Sequence, residues 1–133
     1  MPRGESAIKI GREGDKDYQE IPIILNNWAL AKAQKEMDKA IFEIIKVDER
    51  EKMDISAIGV YELAVFIKIG AEVARRELRL GGRTITMMDA YKIMDQVGVI
   101  GVLPTVVNAL SEAIGVSSDD EDSVEESEAD PNE

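Results

Sequence analysis

The side chains that could do chemistry here are carboxylates, arginines and methionines, because the 133-residue chain has no histidine and no cysteine. That removes disulfides, imidazole or thiolate metal sites, thiolate nucleophiles and every triad built on an imidazole base. Three carboxylate pairs remain: Asp48 with Glu49, Glu51 with Asp54, and Asp89 with Asp95. A two-carboxylate hydrolase needs its acids across a cleft, one with its pKa raised by burial. The first two pairs lie in a charged run, and Asp89 falls in the first turn of an expected helix. Asp89 and Asp95 are six residues apart, so they do not share a helix face. All are read as solvated surface groups, and no catalytic residue is assigned.

Arg75, Arg76 and Arg79 close a long apolar segment. Cations at a helix C-terminus suit its dipole, which accounts for them without a phosphate ligand. Leu80-Gly81-Gly82-Arg83-Thr84 follows a helix rather than a strand and lacks the lysine of a phosphate loop. Gly98-Val99-Ile100-Gly101 has no third glycine at the right distance. Both read as helix ends, and no metal or cofactor is expected. Four of the six methionines, Met53, Met87, Met88 and Met94, lie mid-chain. Methionine fills cores and also lines surfaces that accept varied apolar segments. Adjacent Met87 and Met88 cannot both point inward from one helix, so one of them is expected to be exposed.

The charge is unevenly placed. Ser117–Glu133 holds nine of the 27 acidic residues and none of the 16 basic ones. The net charge of −11 therefore leaves the first 116 residues near neutral, with 18 acidic against 16 basic side chains. Val124 is the one sizeable apolar residue of the acidic run. Such a segment cannot bury enough surface to offset its ordering entropy and reads as disordered. Asp119, Asp120, Glu121, Asp122, Glu125 and Glu126 form its electrostatic centre. Their main expected role is solubility, with competition for a basic partner surface as the sharper one. The first four lack the ligand spacing and glycine of a calcium loop. With one tryptophan, three tyrosines and two phenylalanines, there is no aromatic platform for stacking bases.

The elements that position these residues are mostly helical. Ala7–Ile10 and Tyr18–Leu25 flank a glycine-rich turn and predict a hairpin, with Pro22 restricting its strand to an edge. Asn26 or Asn27 caps a helix expected over Trp28–Lys46, with Leu30, Ala33, Met37, Ile41, Ile44 and Ile45 on its buried face. Val47–Asp54 reads as a charged surface connection. Ser56 is the expected cap of a second helix running to about Leu78 or Leu80. Its Ile58–Ile69 portion is apolar on nearly every face and calls for cover that so small a chain is hard pressed to supply. That predicts a homo-oligomer contact through Ile58, Tyr61, Val65 and Ile69, joined by Met87, Met88 and Met94 as further partner-binding candidates. Gly59 and Gly70 would permit close helix approach. Thr86 caps a third helix with Asp89 in its first turn, Gly98 ends it, and a fourth spans about Val102–Ala113 before Gly115. The expected fold is mainly α: a four-helix domain over 1–116 with an N-terminal hairpin, then a disordered acidic tail over 117–133. No stretch is long and apolar enough to predict a membrane span, and Met1–Gly14 has no signal-peptide core.

The order of elements resembles the tail assembly chaperones of long-tailed bacteriophages that infect Gram-positive hosts. The resemblance runs from I-K-I-G and Y-Q-E-I-P-I-I-L-N-N-W-A-L, through I-G-V-Y-E-L-A-V-F-I-K-I-G-A and T-I-T-M-M-D-A-Y-K-I-M-D-Q-V-G, to V-L-P-T-V-V-N-A-L-S-E-A-I-G and the acidic tail. It covers about Ala7 to Gly115 and rests on element order and the T-x-x-D helix start. It implies a non-enzymatic role in the host cytoplasm: binding the tape measure protein, keeping it from aggregating, and helping to recruit tail tube subunits. It also implies a short form, made beside a longer frameshifted one, and absence from the finished particle. Two alternatives stand beside it. A structural adaptor or head-completion protein would stay in the virion, where mass spectrometry would find it. An acidic DNA-mimic inhibitor would lose activity when Ser117–Glu133 is deleted. Neither nucleic acid nor membrane is an expected partner of the first reading.

Overall fold

A computed structural model of the chain describes residues 4–116. It is mainly helical, with five helices and an N-terminal two-stranded hairpin. Strands β1 (Glu5–Ile10) and β2 (Gln19–Ile24) pair antiparallel, with Ile8 opposite Ile21 and Ala7 opposite Pro22. In a two-stranded sheet both strands are edges, which is what Pro22 requires. Helix α1 (Asn27–Met37) starts where Asn26 Oδ1 accepts the Ala29 N–H at 2.9 Å. Its buried stripe is Ala29, Leu30, Ala33 and Met37.

The helix expected over Trp28–Lys46 is broken. Asp38 adopts a left-handed backbone, with φ 56°, and its N–H bonds the Gln34 carbonyl. A single turn, α2 (Ile41–Ile44), follows, and Gln34 Oε1 accepts the Ile41 N–H at 2.9 Å. Glu43 reaches back to the Ala40 N–H at 2.7 Å. Ala40 has no side-chain oxygen to reciprocate, so α2 is held from one side only. The charged connection beyond it is also ordered. Strands β3 (Lys46–Val47) and β4 (Met53–Asp54) pair around a turn in which Asp48 Oδ1 accepts the N–H groups of Arg50 and Lys52, both at 2.9 Å.

Helix α3 (Val60–Glu77) begins after Gly59, not at Ser56. The Ser56 N–H is taken by Asp54 Oδ1 at 3.0 Å, which commits Ser56 to a turn. Glu62 bonds the Gly59 N–H at 2.9 Å. Helices α4 (Met87–Val97) and α5 (Val99–Ile114) share Gly98, which ends one and opens the other with φ 92°. The last helix therefore starts three residues earlier than its expected bound at Val102. Pro104 lies beyond its first turn, on the exposed side.

Helix α3 runs through the centre. It packs on β2, α1, α4 and α5, while β1 packs on α5. Leu63, Ala64, Val65, Phe66 and Ile67 are buried, and so are Ile69, Ala71, Val73 and Ala74. The hairpin and three helices of the same chain cover these side chains, while Val60 and Tyr61 at the start of α3 stay exposed. Gly70 serves the strand rather than a helix, since a Cβ there would stand 3.0 Å from Ile23 Cβ and 3.2 Å from Leu25 Cδ2. The expected tail, including Asp119, Asp120, Glu121, Asp122, Glu125 and Glu126, lies outside the described residues. Among the described residues no single helix is long and apolar enough to cross a membrane. Helices α4 and α5 pass that test only together, and they are bent by 116°.

Candidate protein-binding surface

Helix periodicity buries one stripe of α1 and leaves the residues off that stripe outside. Trp28, one position before the buried stripe begins, is 52% exposed. It stands between two surface grooves. The larger, about 500 Å³, has Ile69, Ile85 and Met87 with Trp28 as its apolar part, and Lys32, Lys68 and Arg76 among its charged lining. The smaller, about 380 Å³, runs from Trp28 past Asn26 and Val73 to Arg76 and Glu77. Lys32 Nζ, one helical turn on, lies over the Trp28 ring at 5.4 Å from its centroid.

The charges around the larger groove fix its walls. Lys68 Nζ bonds both oxygens of Glu36, at 2.6 and 2.7 Å, tying α3 to α1. Tyr61 donates its hydroxyl to the Glu36 carbonyl at 3.3 Å on the same seam. Glu72 is bonded by Arg75 at 2.8 and 3.1 Å and by Arg76 at 2.9 Å. The Arg75 and Arg76 guanidiniums hold the Glu72 carboxyl below its usual range, against a smaller opposing effect of burial. Burial works the other way on Glu62 too, but its hydrogen bonds to backbone N–H groups and to Lys39 hold it low. These arginines are thus largely engaged with carboxylates of the same chain.

The segment from Thr84 to Met87 closes the groove at the start of α4. Thr86 and Asp89 form a reciprocal cap: the Asp89 N–H bonds Thr86 Oγ1 at 3.1 Å, and the Thr86 N–H bonds Asp89 Oδ2 at 3.0 Å. Arg83 adds a two-point clamp on Asp89, at 2.7 and 3.2 Å. Arg83 first, and the Thr86 cap second, push the Asp89 carboxyl far below its usual range. Asp89 is therefore a structural anion. A general acid needs the opposite shift.

The sequence-predicted partner-binding residues divide. Val65, Ile69 and Met94 are 0%, 6% and 4% exposed and belong to the chain's own core. Ile69 reaches only the floor of the larger groove. Ile58 and Met87 are half-buried, Tyr61 is exposed, and Met88 is 62% exposed. Of the adjacent methionines it is Met88 that faces out. Met87 joins the groove, while Met88 does not line it, so the seven residues do not form one patch. Trp28 and Phe42 were missed. Their signal is position: both fall between the i, i+3, i+4 apolar stripe, where a large aromatic has no core to enter. No group of three or more acidic residues that could hold a metal ion occurs among the described residues.

Set against protein families, curated proteins and solved structures, the chain matches none of them.

Proposed function

We propose that this chain is a non-enzymatic tail assembly chaperone of a long-tailed bacteriophage. It acts in the host cytoplasm, binds the tape measure protein, and helps recruit tail tube subunits. Half-exposed Trp28 between the two grooves carries this reading. A long helical client presents apolar anchors at i, i+3, i+4 and i+7. A shallow groove with an apolar strip of Trp28, Ile69, Ile85 and Met87 between charges of both signs can receive one turn of such a face after another. The acidic Ser117–Glu133 run would keep such a complex from aggregating.

The test is co-expression with the tape measure chain of the same tail gene cluster. The expected result is a complex that co-purifies, and that Trp28→Ala weakens by about tenfold or more, as tryptophan anchors do. The exposed position of Trp28 leaves the fold of that variant intact. Failure of the native chain to bind any tail component would overturn the proposal.

A further inference from the structure

We propose that the acidic run Ser117–Glu133 lies back over the Trp28 grooves of its own chain, as an internal occupant that a client has to displace. The charges at the grooves point to this occupant. Six of the 16 cations of residues 1–116 stand on or beside them: Lys32 and Lys68, then Arg75, Arg76 and Arg79 around the end of α3, and Arg83. Only four of the 18 carboxylates do: Glu36, Glu72, Glu77 and Asp89. Lys68 takes Glu36, Arg75 and Arg76 share Glu72, and Arg83 takes Asp89. Lys32 and Arg79 have no carboxylate partner among the described residues. This end of the molecule is therefore positive, although residues 1–116 together carry more acidic than basic side chains. A run with nine carboxylates and no cation complements it. A second copy would set one positive end against another.

The place where the run begins brings it to the same end. Gly115 closes α5 in a left-handed backbone, φ 95°. The Val116 N–H bonds the Ser111 carbonyl at 3.0 Å, and Ser111 Oγ donates to the Val116 carbonyl at 2.9 Å, which fixes the chain at its exit. Just before that exit, Ala113 and Ile114 share a groove with Asn27. The residues on either side of Asn27, Asn26 and Trp28, line the smaller Trp28 groove. Ser117–Glu133 thus starts beside the residue of α1 that precedes the indole. Fully extended, it spans up to about 50–60 Å, enough to follow the grooves past Lys32 or toward Arg79. Val124 is the one sizeable apolar side chain it can set against Trp28. A helical client with several apolar anchors therefore outcompetes it. The contact itself needs only the grooves, while its regulatory meaning rests on the chaperone reading.

The test uses the full chain. It has no cysteine, so Ser123→Cys accepts a single nitroxide label, and its one tryptophan gives a single indole N–H signal by NMR. At low salt the label is expected to broaden the Trp28 indole signal strongly. It should broaden the Phe42 amide less, although Phe42 lines the groove that Ala113 and Ile114 share and so lies near the exit too. In about 1 M salt, where the screening length falls to about 3 Å, the difference should vanish. Lys32→Glu combined with Arg79→Glu should abolish it at low salt. Both side chains are exposed, and spectra with the label reduced confirm that each variant is folded. Equal broadening of Trp28 and Phe42 at low salt would overturn the proposal. So would a Trp28 effect unmoved by salt and by the double charge variant. The measurement contains no tape measure chain, so its failure and a failure to capture that client are told apart.

Discussion

The best-defined local chemistry is at Asp89, and it is spent on holding the start of α4. Its carboxyl is kept far below the usual range by Arg83 and Thr86, so it is charged when folded and bonded on both oxygens. A depressed folded pKa contributes stability above the unfolded value, about 3.9 for aspartate, and that contribution is lost as pH falls below it. Asp89→Asn should therefore lower the melting temperature at neutral pH, and the gap to the native chain should narrow below about pH 4. Thr86→Ala should cost about 1 kcal/mol by removing the cap oxygen. Melts followed by circular dichroism across that range check both. Arg79 provides the opposite case. It ends α3 in a left-handed backbone, φ 56°, with the Leu80 N–H bonded to the Arg75 carbonyl at 2.9 Å. Glycine is the usual residue there, so Arg79→Gly should raise stability by about 1 kcal/mol in denaturant titration. The caps at Asn26, Thr86, Gly98 and Gly115 were readable because each is decided within four residues of chain. The strained ends at Asp38 and Arg79 were not, since an aspartate or arginine carries no mark that its φ will be positive.

At the scale of elements, the long pattern from Leu30 to Ile45 was misleading. Met37 and Ile41 are four apart, so apolar periodicity continues across a break that only the Asp38 backbone and the Gln34 side chain reveal. The β3–β4 hairpin was hidden for a different reason: its turn is made by Asp48 bonding backbone N–H groups, and in sequence that is one more charge in a charged run. Helix α3 was correctly read as buried, but its cover was assigned to another chain because the hairpin's contribution is non-local. Gly70 tests that packing. An added methyl would gain about 1 kcal/mol of helix propensity. It would also meet Ile23 Cβ at 3.0 Å, an atom fixed to the strand backbone. Crowding of this kind costs about 1–3 kcal/mol, so Gly70→Ala should be net destabilising by roughly 1 kcal/mol. A gain in stability would mean that the strand can shift away from α3.

For the whole molecule, the mainly helical fold with its N-terminal hairpin was legible from apolar periodicity. The location of surplus apolar surface was not. It was expected along the helix over Ile58–Ile69, which the chain encloses from Leu63 onward, and it is found on Val60 and Tyr61 at the start of that helix and on Trp28, Phe42, Met88 and Ile100 of other elements. Burial of a helix depends on residues far away in sequence, whereas an off-stripe aromatic needs only the helix register. The chain has one tryptophan, so its own emission reports the Trp28 surface, read against the client alone as blank. The measurement that tests the central claim most directly is therefore a fluorescence titration with the tape measure chain at neutral pH. A saturable blue shift of the Trp28 emission, as water leaves the indole, together with a tape measure chain that stays in solution is the result the account predicts. A flat titration, with the tape measure chain no more soluble than in its absence, would contradict it.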